Sequence, residues 1–171
     1  MKNKKFITKS IKDMTLTASL IAVLFVQEFA LASIPNVQLT VMLLMVYSKE
    51  LGFRRTSIIT FIHVLLDSYL GGGFSIYYTP FMFIGWMFIP LLLRTVFKNI
   101  EGIFKLSMLS ILFSLLYSWM FIIPSVFIFN LPLGLYIIYD IPWEIALVTS
   151  SFISVLYLYR PVRNIIRLVH N

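Results

Sequence analysis

Three observations on this 171-residue sequence predict an all-α fold, an integral membrane bundle of six transmembrane helices with both termini cytoplasmic. The first is composition: 60% hydrophobic against 12% charged residues, with a mean hydropathy of +0.92, too apolar for a water-soluble domain of this size. The second is the spacing of apolar runs and turn residues, which divides the chain into six segments. The third is that all fourteen Lys and Arg residues fall on one side once those segments are threaded through a bilayer. Positive loop charge stays on the cytoplasmic side, so this pattern sets the orientation.

Helix 1 is expected at Met14–Ser33, after a basic cytoplasmic N-terminus over residues 1–13 that carries Lys2, Lys4, Lys5, Lys9 and Lys12. Twenty residues at about 1.5 Å each give roughly 30 Å, enough to cross. The run ends at Ala30-Leu31-Ala32, which has the look of a signal-peptidase site. Gln27 and Glu28 interrupt it, however, and apolar spans follow throughout, so the segment reads as a retained helix.

Helix 2 is expected at Val37–Gly52 and helix 3 at Thr56–Leu70, with Lys49, Arg54 and Arg55 at the turn between them. Both are short for a span and belong inside the bundle, shielded by neighbours. Helix 4 is expected at Ile76–Leu93 and helix 5 at Ile103–Phe129, with Arg94, Lys98 and Lys105 around their connection. Helix 6 is expected at Ile141–Tyr159, followed by a basic C-terminus over residues 160–171 with Arg160, Arg163 and Arg167. Pro35-Asn36, Gly71-Gly72-Gly73 and Asn130-Leu131-Pro132-Leu133-Gly134 mark the outer turns. The whole chain, 1–171, reads as one membrane domain.

Charge and cysteine usage exclude several functions. The net charge of +7 lies at the inner membrane surface, where anionic headgroups attract it, so it is no signal for nucleic acid. With no cysteine there is no disulfide, thiolate nucleophile or Cys-ligated metal. A Walker sequence is absent, as is any nucleophile–base pair or HExxH motif, so neither an ATPase nor another enzyme is expected, and no cofactor or metal.

The acidic residues carry the functional signal. Asp13, Glu50 and Glu101 accompany the inner cations, whereas Glu28, Asp67, Asp140 and Glu144 map to the outer half, where no Lys or Arg is found. A carboxylate inside a span is expensive unless hydrogen-bonded or wet, and it usually marks a polar cavity. Four of them from helices 1, 3 and 6 suggest an outward pocket, against the alternative that Asp140 caps helix 6 and Glu144 completes its first turn. His63 and Asp67 are four apart and share a face; a substrate contact, an internal hydrogen-bonded pair and half of a metal site are the readings, the last being weakest. Trp119 and Tyr139 belong to an outer aromatic belt that could also contact a ligand, and Trp86, about ten residues into helix 4, lies near the bilayer middle. Asn36 and Gln38 add neutral hydrogen-bonding groups at the same level. In the inner half of helix 1, Thr15, Ala18, Ser19 and Ala22 follow the i, i+3, i+4, i+7 spacing of one face, a small-residue stripe suited to helix packing or to a partner subunit.

Ala18-x-x-x-Ala22 is similar to the alanine docking motif of the substrate-binding S components of energy-coupling factor (ECF) transporters, and Asp140-Ile-Pro-Trp-Glu144 resembles a segment that opens helix 6 in many of them. The resemblance covers nearly the whole chain in size and span number. It implies a vitamin or related micronutrient bound in the outer half, and docking through helix 1 to a coupling transmembrane subunit with two ATPase subunits. Carboxylates without cations give a preference for a cationic or amine-bearing ligand. The N-terminal histidine of the nickel and cobalt members is absent at Lys2. Leu65-Leu66-Asp67-Ser68-Tyr69-Leu70-Gly71-Gly72 also resembles a turn of the MreD rod-shape proteins, which implies a membrane scaffold instead.

The topology is directly testable, because the chain has no cysteine of its own. Cysteines placed at Gly72 and Leu133 should react in intact cells with an impermeant thiol reagent, and cysteines at Arg55 and Asn99 should not; labelling on the opposite faces would overturn the orientation.

Overall fold

The computed structural model describes residues 2–170, with side chains described from residue 11 onward except at 72 and 170. The side chains of Lys2, Lys4, Lys5 and Lys9 therefore lie outside the described residues. The described chain is 83% helix without a strand. Its helices are α1 (Lys2–Leu31), α2 (Thr40–Leu66), α3 (Thr79–Arg94), α4 (Ile103–Met120) and α5 (Leu133–His170), with π-helical turns at Asp67–Gly72 and Pro124–Ile128. Three segments, Ile11–Leu31, Ile103–Ile128 and Leu133–Val169, are long and apolar enough to cross a membrane, and Thr79–Arg94 is a shorter apolar helix.

The helix count is thus five among the described residues, not the six expected. The reason lies at Gly52, the one residue inside α2 that leaves the helical region, with φ 79° and ψ 171°. No loop separates the expected helices 2 and 3, so helical hydrogen bonding resumes at once. The chain nevertheless turns back on itself there. Thr40 and His63, which a straight helix would hold about 35 Å apart, both reach the same oxygen of Glu28. α2 is a helical hairpin whose arms run side by side, and glycine is required at its bend because side chains are strained at that φ and ψ.

Boundaries elsewhere follow local chemistry. α5 begins at Leu133, not at Ile141, and runs through Pro142 and Pro161. Pro132 supplies the carbonyl for the first turn, receiving the Tyr136 N–H at 3.0 Å. The expected helix 5 ends early as α4, at Met120, where the chain passes into the π-helical turn that opens on Pro124. Gly102, at φ 94°, turns the chain into α4.

The first arm of α2 is the centre of the bundle. Thr40 to Tyr47 are buried without interruption, the pattern of a helix surrounded by other helices. α4 and α5 meet through buried serines, among them Ser107, Ser110, Ser114, Ser151 and Ser154. Their small size permits close approach, and the Ser110, Ser114 and Ser154 hydroxyls donate back to carbonyls of their own helices at 2.7–3.0 Å.

Ion pairs collect at one end. Arg55 Nη2 lies 3.0 Å from Asp13 Oδ1, joining α2 to α1. Glu50 receives Arg163 and Arg167, joining α2 to the end of α5. Lys49 Nζ donates to the carbonyls of Lys98 at 2.9 Å and Ile100 at 3.0 Å, holding the connection between α3 and α4, and Arg94 stands 5.0 Å over the ring of Phe53. The bend of α2 is therefore the hub on which the charged parts of α1, α3 and α5 converge.

Replacing Gly52 with Ala should cost about 1–3 kcal/mol through backbone strain and lower the thermal midpoint in detergent. Gly134→Ala, in a helical turn with open space around it, should not. Equal midpoints for both variants and the parent would remove the case for a strained bend.

Candidate polar cavity at the cation-free end

The last turns of α1 place Gln27 and Glu28 against the start of α2. Leu39, the residue preceding α2, makes no side-chain cap, and the Gln27 amide supplies what the local sequence lacks. Its Oε1 accepts the Leu39 N–H at 2.7 Å, and its Nε2 donates to Thr40 Oγ1 at 2.7 Å and to the Leu24 carbonyl at 3.0 Å. The Thr40 hydroxyl in turn donates to Glu28 Oε1. From the second arm of α2, His63 Nε2 lies 3.4 Å from that same oxygen, with only 1% of the His63 side chain exposed. An intramembrane carboxylate needs partners of this kind, and the two come from the two arms of the hairpin, with Gln27 of α1 bonding Thr40 in turn.

Glu28 also faces a cavity of about 220 Å³, together with Asp67, Asn36, Gln38, Tyr117 and the apolar residues of the connection between α1 and α2. Asp67 enters where α2 loosens into the π-helical turn. Gly71 leaves the space it needs, since a Cβ there would stand 2.7 Å from Asp67 Oδ1. Tyr117 forms the aromatic wall. Its ring stacks on Trp86 with centroids 3.6 Å apart and planes 17° from parallel, and Gly85 makes room for it, a Cβ there falling 2.9 Å from Tyr117 Cδ2. No Lys or Arg is among the lining residues.

This geometry corrects several expectations. His63 meets Glu28, not Asp67, and sits behind the carboxylate, outside the cavity lining. Trp86, 1% exposed, backs Tyr117 and does not line the cavity. Asp140 lies inside α5, past its start at Leu133, and so caps nothing; its Oδ2 accepts the Ser118 hydroxyl at 3.0 Å. The four outer carboxylates do not converge. Glu28 and Asp67 share one cavity, Asp140 lines another with Tyr139, and Glu144 lines neither, its buried Oε1 having no partner. Trp119 is 49% exposed and Tyr139 69%. Asn36, at φ 59°, ties the α1–α2 connection to α5 by donating from Nδ2 to the Trp143 carbonyl at 3.2 Å. Tyr117 escaped the sequence reading, although a tyrosine inside a span, away from either interface, is the signal that could have found it.

Thr15, Ala18, Ser19 and Ala22 are exposed on the outer face of α1. The buried face of the same helix is Leu16, Leu20, Ile21 and Leu24, and Tyr47 Oη donates to the Leu20 carbonyl there. Among the described residues the small-residue stripe is therefore left uncovered. Among the described residues no three His, Cys, Asp or Glu side chains come together as a metal site. The chain matches no protein-family model, no curated protein and no solved structure.

Thr40→Val keeps the shape of the side chain but removes the hydroxyl that bridges Gln27 and Glu28. It should cost about 1–3 kcal/mol by leaving buried polar groups unpaired, read as a lower unfolding temperature, and Thr40→Ser should recover most of the loss. Full stability of the valine variant would show that the network does not hold α1 to α2.

Proposed function

We propose that this chain is the substrate-binding subunit of an ECF-type ABC transporter in the bacterial cytoplasmic membrane. In this reading the two arms of α2 each count as a crossing, which with α1, α3, α4 and α5 gives six, and both termini are cytoplasmic. The observation that carries the proposal is the separation of two surfaces along α1. Glu28, near one end, faces the polar cavity, while Thr15, Ala18, Ser19 and Ala22, toward the other, leave a smooth unoccupied face.

The cavity holds a vitamin or related micronutrient, oriented by the Glu28 and Asp67 carboxylates and the Asn36 and Gln38 amides against the ring of Tyr117. The carboxylate, amide and phenol groups that line it offer a solute directed polar contacts, and the lack of a lining cation favours an amine-bearing or cationic one. The stripe on α1 packs on a coupling transmembrane subunit. Energy comes from two ATPase subunits, since this sequence has no phosphate-binding loop of its own. A scaffold of the MreD type would use the same outer face of α1 but gives no role to the polar cavity at Glu28.

Ala18→Leu and Ala22→Leu should abolish co-purification with a coupling subunit and cellular uptake, with folding and solute binding retained. Glu28→Gln and Asp67→Asn should do the reverse: the complex assembles, but affinity for the small molecule that co-purifies falls about ten- to a hundredfold, equivalent to roughly 1–3 kcal/mol. Uptake that survives both kinds of variant would sink the transporter reading, and a complex lost with wall-synthesis proteins instead would favour the scaffold.

A further inference from the structure

A second cavity, of about 280 Å³, lies on α5 and shares no residue with the first. Tyr136, Tyr139, Asp140 and Trp143 line it, with Leu131 and Leu135. The first four follow i, i+3, i+4, i+7 spacing, so they form one face of the helix. Three aromatic rings and one carboxylate in the lining, with Glu144 one turn further along the same face, have a definite chemistry. The rings offer negative π faces, and the carboxylate adds one full charge, a combination that recognises an organic ammonium group. A divalent metal would need several oxygen ligands in place of rings.

Two further observations favour that occupant over a bare interfacial belt. The Asp140 carboxylate is fixed, its Oδ2 accepting from Ser118 Oγ on α4 at 3.0 Å, so it is held at the cavity and does not swing free. Among the described residues no Lys or Arg lines this cavity, and the sequence between Lys105 and Arg160 contains none. Tyr139 and Trp143 are 69% and 47% exposed, which leaves their faces open to a ligand.

We propose that Tyr136, Tyr139, Asp140 and Trp143 form a binding site for a small organic ammonium group, separate from the cavity at Glu28. The site does not depend on the transport reading. Asn36, which lines the first cavity, donates to the Trp143 carbonyl beside the second.

The test uses the purified full chain in detergent micelles, with tetramethylammonium as probe and tert-butanol as its neutral counterpart, read by saturation transfer from protein to the probe methyl protons. Tetramethylammonium should show transfer that tert-butanol does not. Asp140→Asn should weaken its binding at least tenfold, Trp143→Leu several-fold with partial recovery in Trp143→Phe, and Glu101→Gln, an exposed carboxylate outside both cavities, should leave it unchanged. Repeating the titration in nanodiscs tells the source of the ammonium: suppression by phosphatidylcholine but not phosphatidylglycerol assigns a lipid headgroup, and no suppression by either assigns a free solute. Equal transfer to both probes would reduce the site to an apolar groove. Undiminished transfer in both Asp140→Asn and Trp143→Leu would place the cation elsewhere and overturn the proposal.

Discussion

The carboxylate of Glu28 is the constraint around which this bundle is arranged. A charged or even a neutral carboxyl group inside a membrane helix must find polar partners from the protein, because the hydrocarbon offers none. Here those partners, Thr40 and His63, lie on opposite arms of α2. Meeting both demands that α2 fold back at Gly52, that its first arm lie against α1, and that Gln27 be spent on the Leu39 N–H and the Thr40 hydroxyl. The cavity at this end, with Asp67 and Tyr117 on its wall, is what remains when the hairpin closes around that one side chain.

The opposite end is built on a different principle. Lys49, Glu50, Arg55, Arg163 and Arg167 are joined in pairs and to exposed carbonyls of the connection between α3 and α4. Such contacts in partly aqueous surroundings are individually weak, but they link four stretches of chain at the single bend of α2. One end of the molecule is therefore a knot of compensated charge, and the other holds carboxylates with no cation at all. Between them α2 supplies a buried rod from Thr40 to Tyr47.

Much of this was legible in the sequence, and the parts that were not share a cause. Composition and the placement of Lys and Arg announce a helical membrane protein, and Glu28 and Asp67 are singled out by lying in apolar runs without a basic neighbour. The small-residue stripe of α1 follows from the spacing of Thr15, Ala18, Ser19 and Ala22, but that the stripe is exposed and not packed within the bundle does not. What spacing along one helix cannot supply is the partner on another. His63 was matched to Asp67 because the two share a helical face, whereas the hairpin brings it to Glu28. Asp140 reads as a possible cap when helix 6 is taken to start at Ile141, yet α5 already runs from Leu133 and holds Pro142 in its interior. Tyr117 gains its place from Trp86 and Gly85, two residues on a different helix.

The hairpin of α2 also fixes a length. Its arms, broken at Gly52 within Thr40–Leu66, each rise only about 20 Å at 1.5 Å per residue, short of the roughly 30 Å of a hydrocarbon core. The bend between them carries Lys49, Glu50, Arg54 and Arg55. With those charges at one end and Thr40 and His63 both bonded to Glu28 at the other, the arms are held to each other at two points. The length of the unit they make is therefore set by the position of a single glycine.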